Sequence, residues 1–300
     1  DAFSGNIDRL ILSSRRIPTD ALYDANYSMP VKFALVKLAL HRFSCICYLD
    51  TNFKQSLGVS DIRTLHTDFS EIDDIVKEFD NLTENWLVSI NTHDYIVTEA
   101  STGRRVRVTG TYWMALTDPE YMRALDNEMV PRTGVDYGVL RGHIKNSLAP
   151  SVDESDKAIK QALTDAHINF FEATGENVFM RATDHTFASS NSDLGIEGNV
   201  IALMRLKRIM EDEFRANRNC TTTPTKRKEF RDYLVSKYEY LQGTWFDTFT
   251  IEYKSNEYEA ARRITHAYIA VSFKPRGEIT LIEIDVNRAT YQKDIDEDEE

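Results

Sequence analysis

The sequence contains little cysteine, with three in 300 residues. Cys45 and Cys47 lie in one apolar run and Cys220 lies far away, a pattern that argues against a disulfide framework and favours a reducing compartment. A metal site built from His41, Cys45, Cys47 and His66 would need zinc-ligand spacing, which a C-x-C pair without a second close pair does not supply. We therefore interpret the first two cysteines as buried thiols on a strand.

Long apolar runs and an excess of positive charge are also missing. No stretch approaches the roughly eighteen apolar residues of a membrane-spanning helix. The first residues, DAFSGNIDRL, lack the basic start and apolar core of a signal peptide. They also lack an initiator methionine, which indicates a processed chain or a part of a longer one. The net charge of −12 argues against a nucleic-acid binder, whose contact surface is normally basic.

The residues that are present suit a folded α/β protein. The chain is 42% hydrophobic and 28% charged, which supplies enough apolar mass for a core. We find no internal repeat and no low-complexity block. Six of the last seven residues, DIDEDEE, are acidic, and their mutual repulsion predicts a solvated tail. Docking of this tail to a basic partner is the alternative.

The first half alternates predicted helices and strands, as expected of an α/β sheet with covering helices. Ser70 and Asp73 match a capping box at the start of one helix. The other predicted elements are a buried helix from Pro30 to Phe43, strands at Cys45–Leu49 and Trp86–Ile90, and a hairpin of Tyr95–Val97 with Val106–Val108.

The second half repeats this alternation. A helix follows Ser151, and a long helix spans about Asn199 to Arg218. A further helix begins at Thr223-Pro224. The predicted strands are Ile168–Phe171, Val178–Arg181, His266–Phe273 and Ile279–Val286, the last two separated by Pro275-Arg276-Gly277.

No set of residues forms a convincing catalytic site. Asp184-His185-Thr186 suggests acid–base chemistry, but adjacent residues rarely face one substrate and the chain has no G-x-S-x-G nucleophile motif. We interpret the triplet as a polar corner that turns a short strand into the long helix. The glycines of GVDYGVLRG lack the pattern of a phosphate loop. Arg104, Arg105 and Arg107 form a basic spot, read as an exposed hairpin strand with a phosphate site as the alternative. We therefore predict a protein that is not an enzyme and needs no cofactor or metal.

The order of the elements is more informative than any single motif. The second half resembles the C-terminal core of contractile tail sheath proteins, as found in myophage tails and related injection machines. The resemblance runs through LTDAHINFFEATGENVFMRATDHT, the helix with Asn199-Val200, Leu203 and Lys207-Arg208, the segment WFDTFTIEY, and the paired strands of THAYIAVSFKPRGEITLIEIDV. In the first half, Arg42-Phe43 before a strand ending at Asp50, and VPRTGVDYGVLRG, resemble the family less specifically. The usual W-G-x-R-T phrase is replaced by Met180-Arg181-Ala182-Thr183.

The resemblance implies mixed β-sheets covered by helices and a C-terminal extended strand that acts as an arm. Residues 1–145 would form an α/β sheath domain without its N-terminal arm, 146–291 the C-terminal core with the arm strand, and 292–300 the acidic tail. Subunits of this family stack as hexameric rings around a tail tube and contract, linked by arm strands donated into a neighbour's sheet. The arm strand would present Ile279, Leu281, Ile282, Ile284 and Val286; an internal strand of the same subunit's sheet is the alternative.

The same resemblance implies a set of partners and a location. The partners would be other sheath subunits, the tail tube protein, and baseplate and neck proteins, with no membrane insertion and no direct nucleic-acid contact. The protein would be assembled in the host bacterial cytoplasm and reside in the virion tail. Contacts to an acidic tube would come from the long helix, with a solvated helix face as the alternative. The residues are Arg205, Lys207, Arg208, Arg215 and Arg218.

Two other classes of function stay open from the sequence alone. One is a non-catalytic α/β interaction module whose last strands bind a single partner. The other is an α/β enzyme centred on Asp184-His185 or on the loop 134–142. Polymers would favour a sheath subunit, stable one-to-one complexes an interaction module, and loss of turnover on His185→Ala an enzyme.

Overall fold

The computed structural model describes residues 17–51, 58–79, 85–92, 94–98, 101–139, 144–147, 156–175, 178–188, 192–217, 223–256, 258–259 and 264–274. Its helices, in chain order, are α1 (Met29–Arg42), α2 (Val59–Phe69), α3 (Glu71–Lys77), α4 (Gly110–Leu125), α5 (Gly134–Tyr137), α6 (Lys157–Asp165), α7 (Glu197–Ala216), α8 (Pro224–Tyr238) and the short kinked α9 (Leu241–Thr244). Its strands are β1 (Ala21–Tyr23), β2 (Ile46–Asp50), β3 (Val88–Asn91), β4 (Asp94–Thr98), β5 (Arg105–Thr109), β6 (Ile144–Ser147), β7 (Ile168–Asn169), β8 (Phe171–Gly175), β9 (Val178–Arg181), β10 (Phe246–Lys254) and β11 (His266–Phe273).

A four-stranded parallel sheet lies at the centre of the described part of the chain. Its strand order is β1-β2-β3-β7, and β2 pairs with β1 through Cys47↔Leu22 and with β3 through Cys47↔Val88. Every residue of β2 and β3 is buried, as expected of parallel strands covered on both faces. The predicted α/β class is therefore confirmed.

Antiparallel pairs complete the mixture of sheets. Strands β5, β4 and β6 form a three-stranded sheet in that order. Strands β8 and β9 form one hairpin, and β10 and β11 form a two-stranded sheet. The predicted pairing of 95–97 with 106–108 is confirmed, and Gly103 takes a positive φ of 66° in the turn between them.

Helix α1 shows how the sequence sets a boundary. Pro30 lies in the first turn, where its missing N–H costs nothing. Phe43 ends the helix in the left-handed region, and its N–H donates to the Ala39 carbonyl. Val36, Ala39 and Leu40 are buried against the sheet. The predicted helix from Pro30 to Phe43 is thus confirmed to within one residue at either end.

Two predictions of local structure were wrong. The strand predicted at Ile168–Phe171 is divided, because 168–169 join the parallel sheet whereas Phe171 opens the β8–β9 hairpin. The capping box at Ser70 does not form: the Ser70 hydroxyl donates to the Thr67 carbonyl at 2.7 Å, and the Asp73 carboxylate accepts a hydrogen bond from the Asn85 side chain. Helix α3 therefore follows α2 directly, without a side-chain cap.

Two apolar clusters form the core, and α7 contributes to both. Val200, Ile201 and Met204 join the larger cluster around the parallel sheet. Leu206 and Met210 join a second cluster with residues of α8, α9 and the β10–β11 hairpin. The long helix predicted over about 199–218 is observed as Glu197–Ala216, and the helix predicted at Thr223-Pro224 is confirmed, with the Thr223 hydroxyl accepting from the Lys226 N–H.

Candidate functional site

Open α/β sheets bind ligands at the carboxyl edge of their strands, which makes this edge of the parallel sheet the first candidate for a site. A polar residue lies at or next to the end of each of the four strands. All are buried, and none was singled out by the sequence. They are Asp24, Asp50, Asn91 and Asn169.

Asp50 is held by the start of α4. The Thr111 backbone N–H donates to Asp50 Oδ1 at 3.2 Å, and the Thr111 hydroxyl lies 2.5 Å from Oδ2. Burial raises the pKa of the Asp50 carboxyl to about 6 from 3.8, and the Thr111 and Thr109 hydrogen bonds with the Lys32 charge offset only part of that effect. Asp24 accepts the Asp50 N–H and pairs with the buried Lys32 ammonium. The side chains at the ends of β1 and β2 are therefore held by hydrogen bonds and an ion pair within the chain.

The other two strand ends meet a buried ion pair. Arg181 donates to both carboxylate oxygens of Glu197, at 2.6 and 2.5 Å, and to Asn91 Oδ1 at 2.8 Å. Burial alone would lower the pKa of Arg181, but the facing Glu197 carboxylate raises it overall. Ser89 also donates to Glu197. Because this pair joins the end of β9 to the first residue of α7, it fixes that helix against the sheet.

The Asp184-His185-Thr186 corner belongs to the same scaffold. The His185 N–H donates to Asn169 Oδ1 at 2.7 Å, and Asn169 Nδ2 donates to the His185 carbonyl at 2.7 Å. The Asp184 carbonyl accepts from the Glu197 N–H, and the Thr186 hydroxyl donates to the Leu194 carbonyl. The interpretation of this triplet as the corner before the long helix is confirmed.

The usual ligand position of the sheet is thus occupied by the protein's own side chains. A group of three His, Cys, Asp or Glu side chains able to hold a metal ion is absent from the described ranges. Cys45 and Cys47 are buried free thiols, and burial raises the pKa of each, so neither resembles an activated nucleophile. What the buried groups accomplish chemically is to lock helices onto the sheet.

The β10–β11 hairpin is the better candidate for a functional surface. Its inner face packs on the second cluster through Phe246, Phe249 and Ile251, all buried. Trp245, just before β10, donates its indole N–H to the Leu125 carbonyl at 2.6 Å and so ties the hairpin to α4. The hairpin is therefore anchored to α4 and to the second cluster.

Strand β11 is covered less completely than its partner. Ile269 lies opposite the buried Ile251 in the register, and Val271 lies opposite the buried Phe249, yet both are only half-buried. Tyr268, on the other face, is exposed and stacks with the Lys254 ammonium 4.9 Å from its ring. Strand β11 pairs with β10, and its second main-chain edge has no partner strand among the described residues. An open edge with half-covered apolar side chains is suited to the addition of another strand.

The predicted arm residues Ile279, Leu281, Ile282, Ile284 and Val286 lie outside the described residues, as do the tail 292–300 and Arg218. The arm role and the proposed division of the chain therefore stay predictions.

All four described basic residues of the long helix form ion pairs within the chain. Arg205 reaches Asp126 at 2.7 Å, and Arg208 pairs with Asp20. Lys207 pairs with Glu211 at 2.7 Å and Arg215 with Asp212 at 3.2 Å. Arg205 and Arg208 border a groove of about 530 Å³ between the start of the described chain and α7. Lys207 and Arg215 are the more exposed pair, and a tube-facing role for this helix stays a prediction.

Comparison with solved structures gives the fold a class. The chain matches the anti-feeding prophage baseplate structure over 90% of its length and 69% of that chain, with a TM-score of 0.65 and 8% identity. It matches the contracted helical sheath of the same particle over 89% of its length and 70% of that chain, with a TM-score of 0.64 and 8% identity. It also matches the contracted PVC sheath complex of an extracellular contractile injection system over 90% of its length and 71% of that chain, with a TM-score of 0.61 and 11% identity. A sheath tail protein from Desulfitobacterium hafniense matches with a TM-score of 0.53.

The chain therefore has the fold of contractile sheath proteins, and the resemblance drawn from the order of its elements is confirmed at that level. No protein-family profile matches the sequence, and no curated protein is similar to it. Among the helices of the described residues, none combines the length and apolar character needed to cross a membrane.

Proposed function

We propose that this protein is a structural subunit of a contractile tail sheath, which polymerises as stacked hexameric rings around a tail tube. Contraction of the rings drives the tube through the host envelope. The match of about nine-tenths of the chain to sheath proteins supports this proposal most strongly. The sealed carboxyl edge of the sheet supports a role in assembly over a role in catalysis.

The open edge of β11 supports a specific link between subunits. In this proposal the strand 279–286 of one copy adds to β11 of a sister copy. Main-chain hydrogen bonds supply affinity, and the new apolar side chains cover Ile269 and Val271. The rigid attachment of the hairpin through Trp245 lets neighbouring cores shift while the strands stay paired.

The remaining partners follow from the same proposal. Sheath subunits contact the tube protein, with Lys207 and Arg215 of α7 as accessible cations, and the ends of the sheath contact baseplate and neck proteins. Assembly takes place in the bacterial cytoplasm and the product is part of the virion tail. No cofactor or nucleotide is required, because contraction is a fall to a packing of lower free energy.

A crosslinking experiment tests the strand exchange. Two variants, Ala270→Cys on β11 and Leu281→Cys in the arm, are made in a Cys220→Ser background that keeps only the buried Cys45 and Cys47. They are mixed and joined with a short thiol crosslinker; Leu281 is chosen because it alternates with the apolar side chains that would cover Ile269 and Val271, and so lies on the same face as Ala270. We expect dimer-sized products on a gel and rings or helical polymers by negative-stain microscopy. Deletion of 279–286 should abolish both, whereas the exposed substitution Asp247→Asn should change neither.

Two outcomes would contradict the proposal. One concerns a further variant that carries both cysteine substitutions in one chain. If this variant crosslinks only within itself and the mixture gives no dimer product, the strand belongs to its own subunit. The other is a protein that stays monomeric at every salt concentration. Stable one-to-one complexes with a different protein, without polymers, would instead favour an interaction module.

A further inference from the structure

A second strand edge without a partner among the described residues lies on the β4–β5 hairpin. Its surface is positively charged, in contrast to the apolar surface beside β11. Exposure falls along β5, from the exposed Arg105, Val106 and Arg107 to the half-buried Val108 and the buried Thr109. The strand therefore projects from the body at its start and enters it where α4 begins. Arg104 is exposed as well, which gives the projecting end three arginines within four positions.

Strand β5 is an edge of its sheet. The strand order is β5-β4-β6, and Arg105 to Thr109 pair with β4 along their whole length. Within the residues that the structure describes, nothing pairs with the other side of β5. Charged side chains commonly protect such edges from unspecific pairing. Arginine protects against cationic or neutral strands and at the same time admits an acidic one.

Two of these three arginines leave their charge unpaired within the described ranges. Neither the Arg104 nor the Arg105 guanidinium forms an ion pair with any carboxylate in the described ranges. The whole chain carries a net charge of −12, so a cluster of three arginines runs against its overall charge. An exposed cationic strand on an acidic protein is positioned to attract an acidic segment of another copy.

The sequence contains one segment of matching length and charge. Residues 294–300, DIDEDEE, carry six carboxylates in seven positions and no proline. Seven extended residues span about 23 Å, enough to follow the five residues of β5. Side chains alternate along a strand, so Asp294 and Asp296 would face Arg107 and Arg105 while Ile295 would cover the exposed Val106.

We propose that the acidic segment 294–300 of a sister subunit adds to the free edge of β5 as an extra strand. This inference rests on the proposed strand exchange. When the strand 279–286 of one copy pairs with a sister subunit, the segment 294–300, which follows it closely in the sequence, is brought to the surface of that subunit. The pairing gives each link a second, salt-sensitive contact beside the apolar one at β11. The two contacts raise the effective concentration of each other.

The test is a disulfide between Val106→Cys and Ile295→Cys, placed in separate full-length copies in a Cys220→Ser background and mixed at low salt. We expect a dimer-sized product under mild oxidation. Its yield should fall by about tenfold in roughly 1 M salt, where exposed charges are screened within about 3 Å. A matched variant, Arg63→Glu on the exposed face of α2, should leave the yield unchanged.

Reversing the charges on both partners tests whether the disulfide depends on charge recognition or only on the two cysteines being close. Arg105→Glu with Arg107→Glu should abolish the product, and adding Asp294→Lys with Asp296→Lys to the other copy should restore it. The proposal is overturned if the product is insensitive to charge reversal, if it forms only within one chain, or if it does not form. Microscopy of the same samples keeps the two proposals apart: polymers without this disulfide refute the β5 contact alone, whereas the absence of polymers refutes the sheath function.

Discussion

Replacing Asp50 with asparagine is expected to stabilise the protein at neutral pH. The Asp50 carboxyl is buried, and its pKa in the folded protein is about 6 instead of 3.8. A raised pKa means that the folded state holds the proton more tightly than the unfolded chain does. The carboxyl therefore contributes stability below pH 3.8, and this contribution is lost as the pH rises through about 6.

The magnitude follows from the gap between these two values. At 1.36 kcal/mol per pH unit, ionising the buried carboxyl costs about 3 kcal/mol of unfolding free energy above pH 6. Asparagine avoids that cost and retains the contacts. Its amide N–H₂ can donate to the Thr111 hydroxyl, which then donates to the Asp24 carbonyl, 2.6 Å away. Its amide oxygen can accept the Thr111 N–H.

Urea unfolding at pH 8 and at pH 4 measures the effect. We expect Asp50→Asn to exceed the wild type by about 2–3 kcal/mol at pH 8 and by much less at pH 4, where the aspartate is neutral in the folded protein. The control is Asp247→Asn, an exposed aspartate of β10. A loss of stability at both pH values, or a gain that does not change with pH, would refute the assignment of a costly buried charge at Asp50.

Three further changes test how the fold is locked. Arg181→Leu leaves the Glu197 carboxylate buried and unpaired and should cost about 3–5 kcal/mol by urea unfolding; adding Glu197→Leu should recover most of it, and equal losses in both variants would refute the ion-pair account. Trp245→Phe removes the indole hydrogen bond to Leu125 and should cost about 1 kcal/mol, which a thermal melt would detect; an unchanged melt would show that the bond does not hold the hairpin. Phe246→Ala opens a cavity under the hairpin and should cost about 3–5 kcal/mol, with a loss below 1 kcal/mol contradicting its place in the second cluster.

The spacing of apolar residues predicts most of the helices and strands that could be located from the sequence. Helix α1, the β4–β5 hairpin and strand β11 were located because each shows a strong pattern and a nearby glycine or proline. The division of the strand at Phe170 was missed, because a continuous apolar run does not reveal that its halves join different sheets. The capping box predicted at Ser70 does not form because a tertiary contact competes with it: the Asp73 carboxylate accepts a hydrogen bond from Asn85 instead.

The buried network at the sheet edge could not be foreseen from residue spacing. Arg181 and Glu197 are sixteen positions apart, and no sequence pattern around them marks the two as partners. One signal was present, since Asp50 directly follows a fully apolar strand, where a charged side chain needs a buried partner. The partner Thr111 lies sixty-one positions later, and only the folded chain brings the two together.

Helix α7 has a mechanical consequence under the proposed function. Its first turns are embedded against the parallel sheet and pinned by the Arg181–Glu197 pair, whereas its later turns support the β10–β11 hairpin. If a sister copy pulled on the hairpin as proposed, the force would be passed along one continuous helix to the parallel sheet. The subunit should accordingly rotate as one body under such a force, instead of deforming between its two apolar clusters.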